Sequence, residues 1–269
     1  MSRDDLIDHW LRDDRSDGRV ESFMQLREHF LGRVGQRGSI LEIGPFFRPA
    51  LRGENVSYFD VLDSDELKER AARLGFSDQA ASVPDIRWVS PEGDLSVVSQ
   101  EFDAAFSSHC IEHQPDLIRH LEQVASVLKP DGNYYLIIPD KRYCFDHFLR
   151  ESSADAIISA VGRRNHAFLS IVEHRALTTH NDPERHWKGD HKDPGFEFSV
   201  GGRASAAAEE FFAADGAYVD VHAWQFTPAS FARAVRALHA TGHTRLTVKE
   251  VFATPYGRQE FTAVLGFGK

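Results

Sequence analysis

The stretch that most limits the fold is QPDLIRHLEQVASVLKPDGNYYLIIPD, Gln114 to Asp140. Leu117, Ile118, Leu121, Val124, Ala125 and Leu128 recur at helical spacing, with Pro115 at a tolerated first-turn position and Lys129-Pro130-Asp131-Gly132 as the stop. NYYLIIPD then reads as a strand that is apolar on both faces. Such a strand needs cover on both sides, which a parallel sheet flanked by helices supplies.

The rest of the chain repeats this rhythm. SILEIG, NVSYFDV, DIRWVS and FDAAFSSH read as four earlier strands, and SDELKERAARLGF as a helix with Ser64 as N-cap and Gly75 as stop. Late in the chain TPASFARAVRALHATGH is a helix capped by Thr227 with Pro228 at its first position. RLTVKEVFAT and EFTAVLGFG close as a hairpin-like pair. The expected fold is α/β: a Rossmann-like seven-stranded sheet, mostly parallel, with one antiparallel edge strand.

Three units follow. Residues 1–37 read as a polar helical cap with Val20, Phe23, Leu26, Phe30 and Val34 on one face. Residues 38–139 and 227–269 form the sheet domain. Residues 140–226 break the rhythm and read as a mixed helix-and-loop insertion, a lid over the carboxyl ends of the strands, with ADAIISAVGRRNHAFLSIVEH as its helical part.

The totals narrow the function classes. A net charge of -10 with no long Lys/Arg run argues against nucleic acid or an anionic membrane as general partner. MSRDDLIDHWLRDDRSDG has no apolar core of a secretory signal, and no membrane-length apolar run occurs. Cys110 and Cys144, the two cysteines, suit a reduced cytoplasmic setting.

Ligands of open α/β sheets sit beyond the strand carboxyl ends. There the sequence offers Gly44, which lets backbone approach a ligand, and Glu42, a carboxylate inside a strand. Asp60 is placed to accept ribose hydroxyls, and Asp94, followed by Leu95, an adenine amino group. SSHCIEH presents Ser107, Ser108, His109, Glu112 and His113. Gly44 is followed by Pro45, Phe46 and Phe47, not by further glycines, which argues against a phosphate cradle and so against NAD or a nucleoside triphosphate.

In this order, LEIGPFF, YFDV, GDL and FDAAFSSHCIEHQPDLIRHLEQVASVLKPDGNYYLIIPD resemble the class I S-adenosylmethionine-dependent methyltransferases. The likeness spans roughly residues 39 to 140 and 227 to 267. IPDKRY and DVHAWQFTPASF resemble a bacterial subset with a long insertion after strand five, associated with glycan or secondary-metabolite pathways. The resemblance implies S-adenosylmethionine as cofactor, S-adenosylhomocysteine as product, and Glu42, Gly44, Asp60, Asp94, Leu95, Ser108 and His109 as the cofactor side. It implies methyl transfer, most readily to oxygen, on a small-molecule or saccharide acceptor.

Proton removal from a hydroxyl calls for a base near neutral pH, and His113, His180 and His222 are the candidates. Lys141 and Arg142 suit an anionic acceptor, as does Arg185, and Tyr143 a pocket wall. HNDPERHWKGDH offers metal donors in His180, Asp182, His186, Asp190 and His191, but matches no established metal spacing, so no metal ligand is assigned. Two alternatives stay open: cyclisation or lysis of the same cofactor, and a non-catalytic binding protein that keeps the fold.

Overall fold

The computed structural model describes residues 22–268. β1 (Ile40–Ile43), β2 (Val56–Asp60), β3 (Trp88–Val89), β4 (Phe102–Ser108), β5 (Leu128–Pro139), β6 (Leu246–Phe252) and β7 (Glu260–Phe267) form one seven-stranded sheet in the order β3-β2-β1-β4-β5-β7-β6. β1 pairs in parallel with both β2 and β4. The order therefore reverses beside β1, and the crevice above β1 and β4 is where such sheets bind ligands. The antiparallel pairing lies at the far edge, as the hairpin text implies. The reversed strand, β7, sits one place in, between β5 and the outermost strand β6.

Side chains of the central strands alternate between two cores. Ala105 of β4 and Tyr134, Leu136 and Ile138 of β5 face the larger one, with Leu121 and Val124 of α3 (Leu117–Ser126) and Phe231 and Val235 of α8 (Pro228–Ala240). Ala104, Phe106, Tyr135 and Ile137 face the other, under Phe30 and Val34 of α1 (Arg27–Gly35). This is the two-faced cover that NYYLIIPD requires. Each fully buried aromatic in these layers contributes about 1.5–3 kcal/mol of burial free energy.

The helix ends follow local chemistry. Thr227 caps α8 in a reciprocal pair with Ser230, with Pro228 in the first turn. Asp63, not Ser64, caps α2 (Ser64–Arg73): its carboxylate accepts from the Asp65 and Glu66 amides, while the Ser64 hydroxyl donates to the Pro84 carbonyl. The charged acceptor next door wins the capping position, and Gly75 follows the helix with φ 82°.

Several sequence expectations change. Residues 1–21, with Val20, lie outside the described residues. The expected single face breaks at Leu26, which is extended (φ -88°, ψ 126°), so Phe23 sits in a separate short turn and is 69% exposed. Lys129 to Gly132 belong to β5, which starts at Leu128, and the register with β4 slips between Phe102 and Ala104. Residues 154–174 form two helices, α4 (Ala154–Ile158) and α5 (Phe168–Leu177), rather than one.

Residues 140–226 also carry α6 (Pro183–Trp187) and α7 (Phe196–Ala213), and a small apolar group of Ile171, Val219 and Val221. Their two ends meet: Asp140 bridges Phe226, and the Lys141 amide donates to the Phe226 carbonyl at 2.9 Å. Among the described residues, no helix is long and apolar enough to cross a membrane.

Gly132 explains the end of the KPDG run. A Cβ there would stand 2.9 Å from the Lys129 carbonyl oxygen and 3.0 Å from that of Phe102, both rigid backbone. Gly132→Ala is expected to destabilise the protein by about 1–3 kcal/mol through overpacking, read as a lower urea midpoint with unchanged slope.

Candidate active site

The loop after β1 is held by two buried acids. Gly44 has φ 68°, and a Cβ there would meet only Cys110 Sγ, at 3.6 Å, so the backbone turn rather than crowding calls for glycine. Phe46 follows with φ 53°, an unusual conformation for a bulky residue. Asp60 at the end of β2 fixes it: one carboxylate oxygen accepts from the Phe46 amide at 3.1 Å, the other from Val61 at 2.7 Å. Burial pushes the Asp60 pKa up, against these hydrogen bonds.

Glu42 works in the same way one turn on. Its two oxygens accept from the Ala50 and Leu51 amides at 2.7 and 3.0 Å. Burial raises its pKa to about 7. Phe47 is buried against Phe76, with the Arg48 guanidinium over both rings, and Phe46 lies half-buried below Arg70. The loop is thus stiffened by carboxylates and aromatics instead of glycines.

Asp94 caps a short turn through the Ser96 amide and is also held by Gln123 and Arg119 of α3; Leu95 beside it is buried in the larger core. Ser108 accepts from Arg27, whose guanidinium also grips Glu260. His109 has φ 50° and its Nε2 lies 2.7 Å from Glu260.

A dense polar cluster lies just past β4. Glu112 is fully buried, and among the described residues neither carboxylate oxygen has a hydrogen-bond partner. His109 Nδ1, His113 Nε2 and His222 Nε2 stand 3.8, 4.0 and 4.0 Å from its Oε1. Each of these rings is set from behind by another acid. His109 faces Glu260, His113 Nδ1 lies 2.8 Å from Asp220, and His222 Nδ1 donates to Asp146 at 2.6 Å. His174 lies 3.9 Å from the second Asp146 oxygen.

Electrostatics separate the two central imidazoles. Burial opposes charge on His113, but Asp220 and Glu112 outweigh it and raise its pKa above the ordinary value. Burial dominates at His222 and lowers its pKa to about 3, so that ring stays neutral. The same burial raises Asp146 to about 7.

The sequence pointed to His113 and His222, and the structure brings their rings to 4.6 Å, edge to face. It does not bring His180 with them. His180 stacks on His186, its Nε2 donates to the Asp190 carbonyl and its Nδ1 accepts from the Asp182 amide. Lys141 and Arg142 are also turned to structural duty. Lys141 donates to the His147 carbonyl at 2.8 Å, and Arg142 chelates the buried Asp140. Arg185 pairs with Asp190 and Asp193. Tyr143 stacks on Trp187 with centroids 3.8 Å apart. Residues that sequence reasoning missed are Asp146, His174, Asp220 and Glu260; Asp220 and His222, two apart in one extended stretch, were the available signal.

A glycine turn at the sheet's reversal point, held by buried acids of β1 and β2, and a buried histidine-carboxylate cluster past β4 lie at the carboxyl ends of the strands of a Rossmann-like sheet. Residues 17–182 match the family model described as a methyltransferase domain, and the chain belongs to that family. It is a class I S-adenosylmethionine-dependent methyltransferase. A search of curated proteins gives no match. Among solved structures, the chain is similar to the mitomycin 7-O-methyltransferase MmcR, at 13% identity, covering 98% of this chain and 67% of that one, TM-score 0.41. It is similar also to the CcbJ methyltransferase from Streptomyces caelestis, at 14% identity, covering 98% and 96%, TM-score 0.43. A third is the Burkholderia thailandensis 1,6-didemethyltoxoflavin-N1-methyltransferase, at 16% identity, covering 99% and 87%, TM-score 0.44.

Glu42→Gln retains the size of the side chain but turns an amide NH2 toward one of the two loop amides. It is expected to cost about 1–3 kcal/mol of stability, measured by urea denaturation, by leaving a backbone donor unpaired.

Proposed function

We propose that this enzyme methylates an oxygen of a small molecule or glycan unit, with the acceptor seated against Glu112 under residues 140–226. The carrying observation is the fully buried Glu112 carboxylate, orphaned among imidazoles that are each oriented by a second acid. Buried polar groups are nearly always hydrogen-bonded, so such a group favours a polar ligand as its partner. A hydroxylated acceptor supplies those hydrogen bonds. The residues between Asp140 and Phe226 then act as the lid, and the free thiols Cys110 and Cys144 fit a cytoplasmic enzyme.

S-adenosylmethionine, when bound, supplies an activated methyl group for in-line displacement. On the cofactor side, Gly44 leaves the mouth of β1 open to backbone approach, and Asp60 takes a ribose hydroxyl. Val61 and Leu62 occupy one of its oxygens and Phe46 half of the other, which leaves one acceptor site. Glu42 contributes by fixing the loop; His109 and Ser108, tied to Glu260 and Arg27, border the crevice. Asp94 and Leu95 remain the adenine-end candidates.

On the acceptor side His113 serves as general base. Asp220 holds one nitrogen and stabilises the imidazolium that forms, while the other faces the acceptor socket. His222, donating to Asp146, orients the acceptor with its free nitrogen. A raised His113 pKa means that activity rises with pH as this imidazole deprotonates.

Three measurements test this reading. His113→Ala is expected to lower kcat by roughly 10²–10⁴-fold while calorimetry finds S-adenosylhomocysteine binding intact. Asp220→Asn removes the charge that favours protonated His113, so the acid limb of the pH–rate profile should move to lower pH; a limb that stays in place argues against this base. Asp60→Ala should weaken S-adenosylhomocysteine by ~1–3 kcal/mol, and an unchanged affinity would show that Asp60 only holds the loop.

A further inference from the structure

α7 carries apolar residues on two opposite sides. At about 100° per residue, Phe196, Val200, Arg203, Ala207 and Phe211 share one side. That side is covered. Phe196 and Ala207 are buried, Arg203 donates to the Thr178 carbonyl at the end of α5, and the Phe211 ring meets Phe168 of α5 edge to face at 5.2 Å. Phe198, Gly201, Gly202, Ser205, Glu209 and Phe212 share the other side, and all six are exposed. Phe198 is 95% exposed and Phe212 71%. A helix that is apolar on both sides calls for cover on both.

The outer side has a symmetry of its own. Phe198 and Phe212 each lie seven residues, two helical turns, from Ser205, so a ring stands at each end of one line. The two rings are about 21 Å apart along the axis. Between them the surface is shallow: a Cβ on Gly201 or Gly202 would meet nothing within 4 Å among the described residues. Two such faces fit each other when the helices run antiparallel about a two-fold axis at Ser205. Phe198 then falls on Phe212 of the partner subunit, and within each copy Phe168 stands 5.9 Å from the Phe212 ring and widens the landing site. Glu209 falls on Gly201 of the partner subunit and Glu197 on Ala213 of the partner subunit, so no acid meets an acid.

We propose that the outer side of α7 pairs this chain with a second copy of itself. The area is sufficient. The three rings, with Phe168 41% exposed, and the small residues between them present about 500 Å² per copy. The pair then removes about 1,000 Å² from water, the size at which specific interfaces begin. Aromatic anchors at both ends supply the kind of contact that carries most interface energy. Self-complementarity favours a second copy over an unrelated protein, because a closed two-fold contact uses one patch twice. As α7 lies within residues 140–226, the dimer joins the insertions of two copies and leaves both sheets outside the contact.

Sedimentation equilibrium of the full-length protein across the micromolar range is expected to show a monomer–dimer exchange. Phe198→Glu and Phe212→Glu should each raise the dimer dissociation constant by about 30-fold or more. The urea midpoint at low protein concentration should not move, since both side chains already face water in the monomer. A short bis-maleimide should join Ser205→Cys into a covalent dimer, and the wild type, whose Cys110 is half-buried and Cys144 buried, serves as the control. A wild type that stays monomeric overturns the proposal, whether or not it then sediments with lipid vesicles. So does a dimer that survives both substitutions, or one that leaves Ser205→Cys unjoined. None of these measurements uses a methyl acceptor, so they stand whether or not the base assignment holds.

Discussion

Glu112 joins the two halves of the molecule. Its carbonyl accepts from the Ala223 and Trp224 amides at 2.7 and 3.2 Å, so the returning end of the insertion is fastened to the loop after β4. The Trp224 indole repeats the link by donating to the Gln114 carbonyl at 2.6 Å. The side chain of the same residue stands among His109 and His113 from the sheet domain and His222 from the insertion. A buried carboxylate is costly unless charge or hydrogen bonds answer it. The acids behind the histidines, Glu260, Asp220 and Asp146, hold the rings in place around it, and they come from three distant parts of the chain.

The β1 loop is held in its turn by one glycine and two acids. Backbone freedom at one glycine is followed by a phenylalanine held at positive φ, and the strain is met by an acid at the end of β2. Glu42 then ties the next turn through two amides. Such a loop gives up repeated glycines and their anion-binding amides for rigidity. That suits a cofactor without phosphate.

The sheet was legible because its signals are local. NYYLIIPD, the Thr227-Pro228 start and the Gly75 stop each act within a few residues, and each is found where the text places it. The acids at the ends of β1 and β2 were legible in identity, but not in their hydrogen bonding to loop amides. Ser64 lost its capping role to Asp63 because a charged acceptor one residue away binds the same amides better. The polar cluster was half legible. His113 follows a recognisable strand end, whereas Asp146, His174 and Glu260 reach it only through tertiary folding. Lys141 and Arg142 looked free for an anionic acceptor because nothing in their neighbourhood reveals the His147 carbonyl or shows that Asp140 is buried.

The Asp140–Phe226 bridge has a consequence for how such a protein changes over time. An excursion of more than eighty residues leaves and rejoins the sheet at one pair of hydrogen-bonded positions, and it is tied to the sheet domain again through the Glu112 and Gln114 carbonyls, the Trp187 indole on the Arg258 carbonyl, and Ile157 and Ala160 in the larger core. Lengthening a closed excursion adds little entropy cost, since each doubling adds only about 0.6 kcal/mol. Length is therefore cheap to change between these ties, whereas Ala223 and Trp224 must keep their places for the loop after β4 to stay fastened.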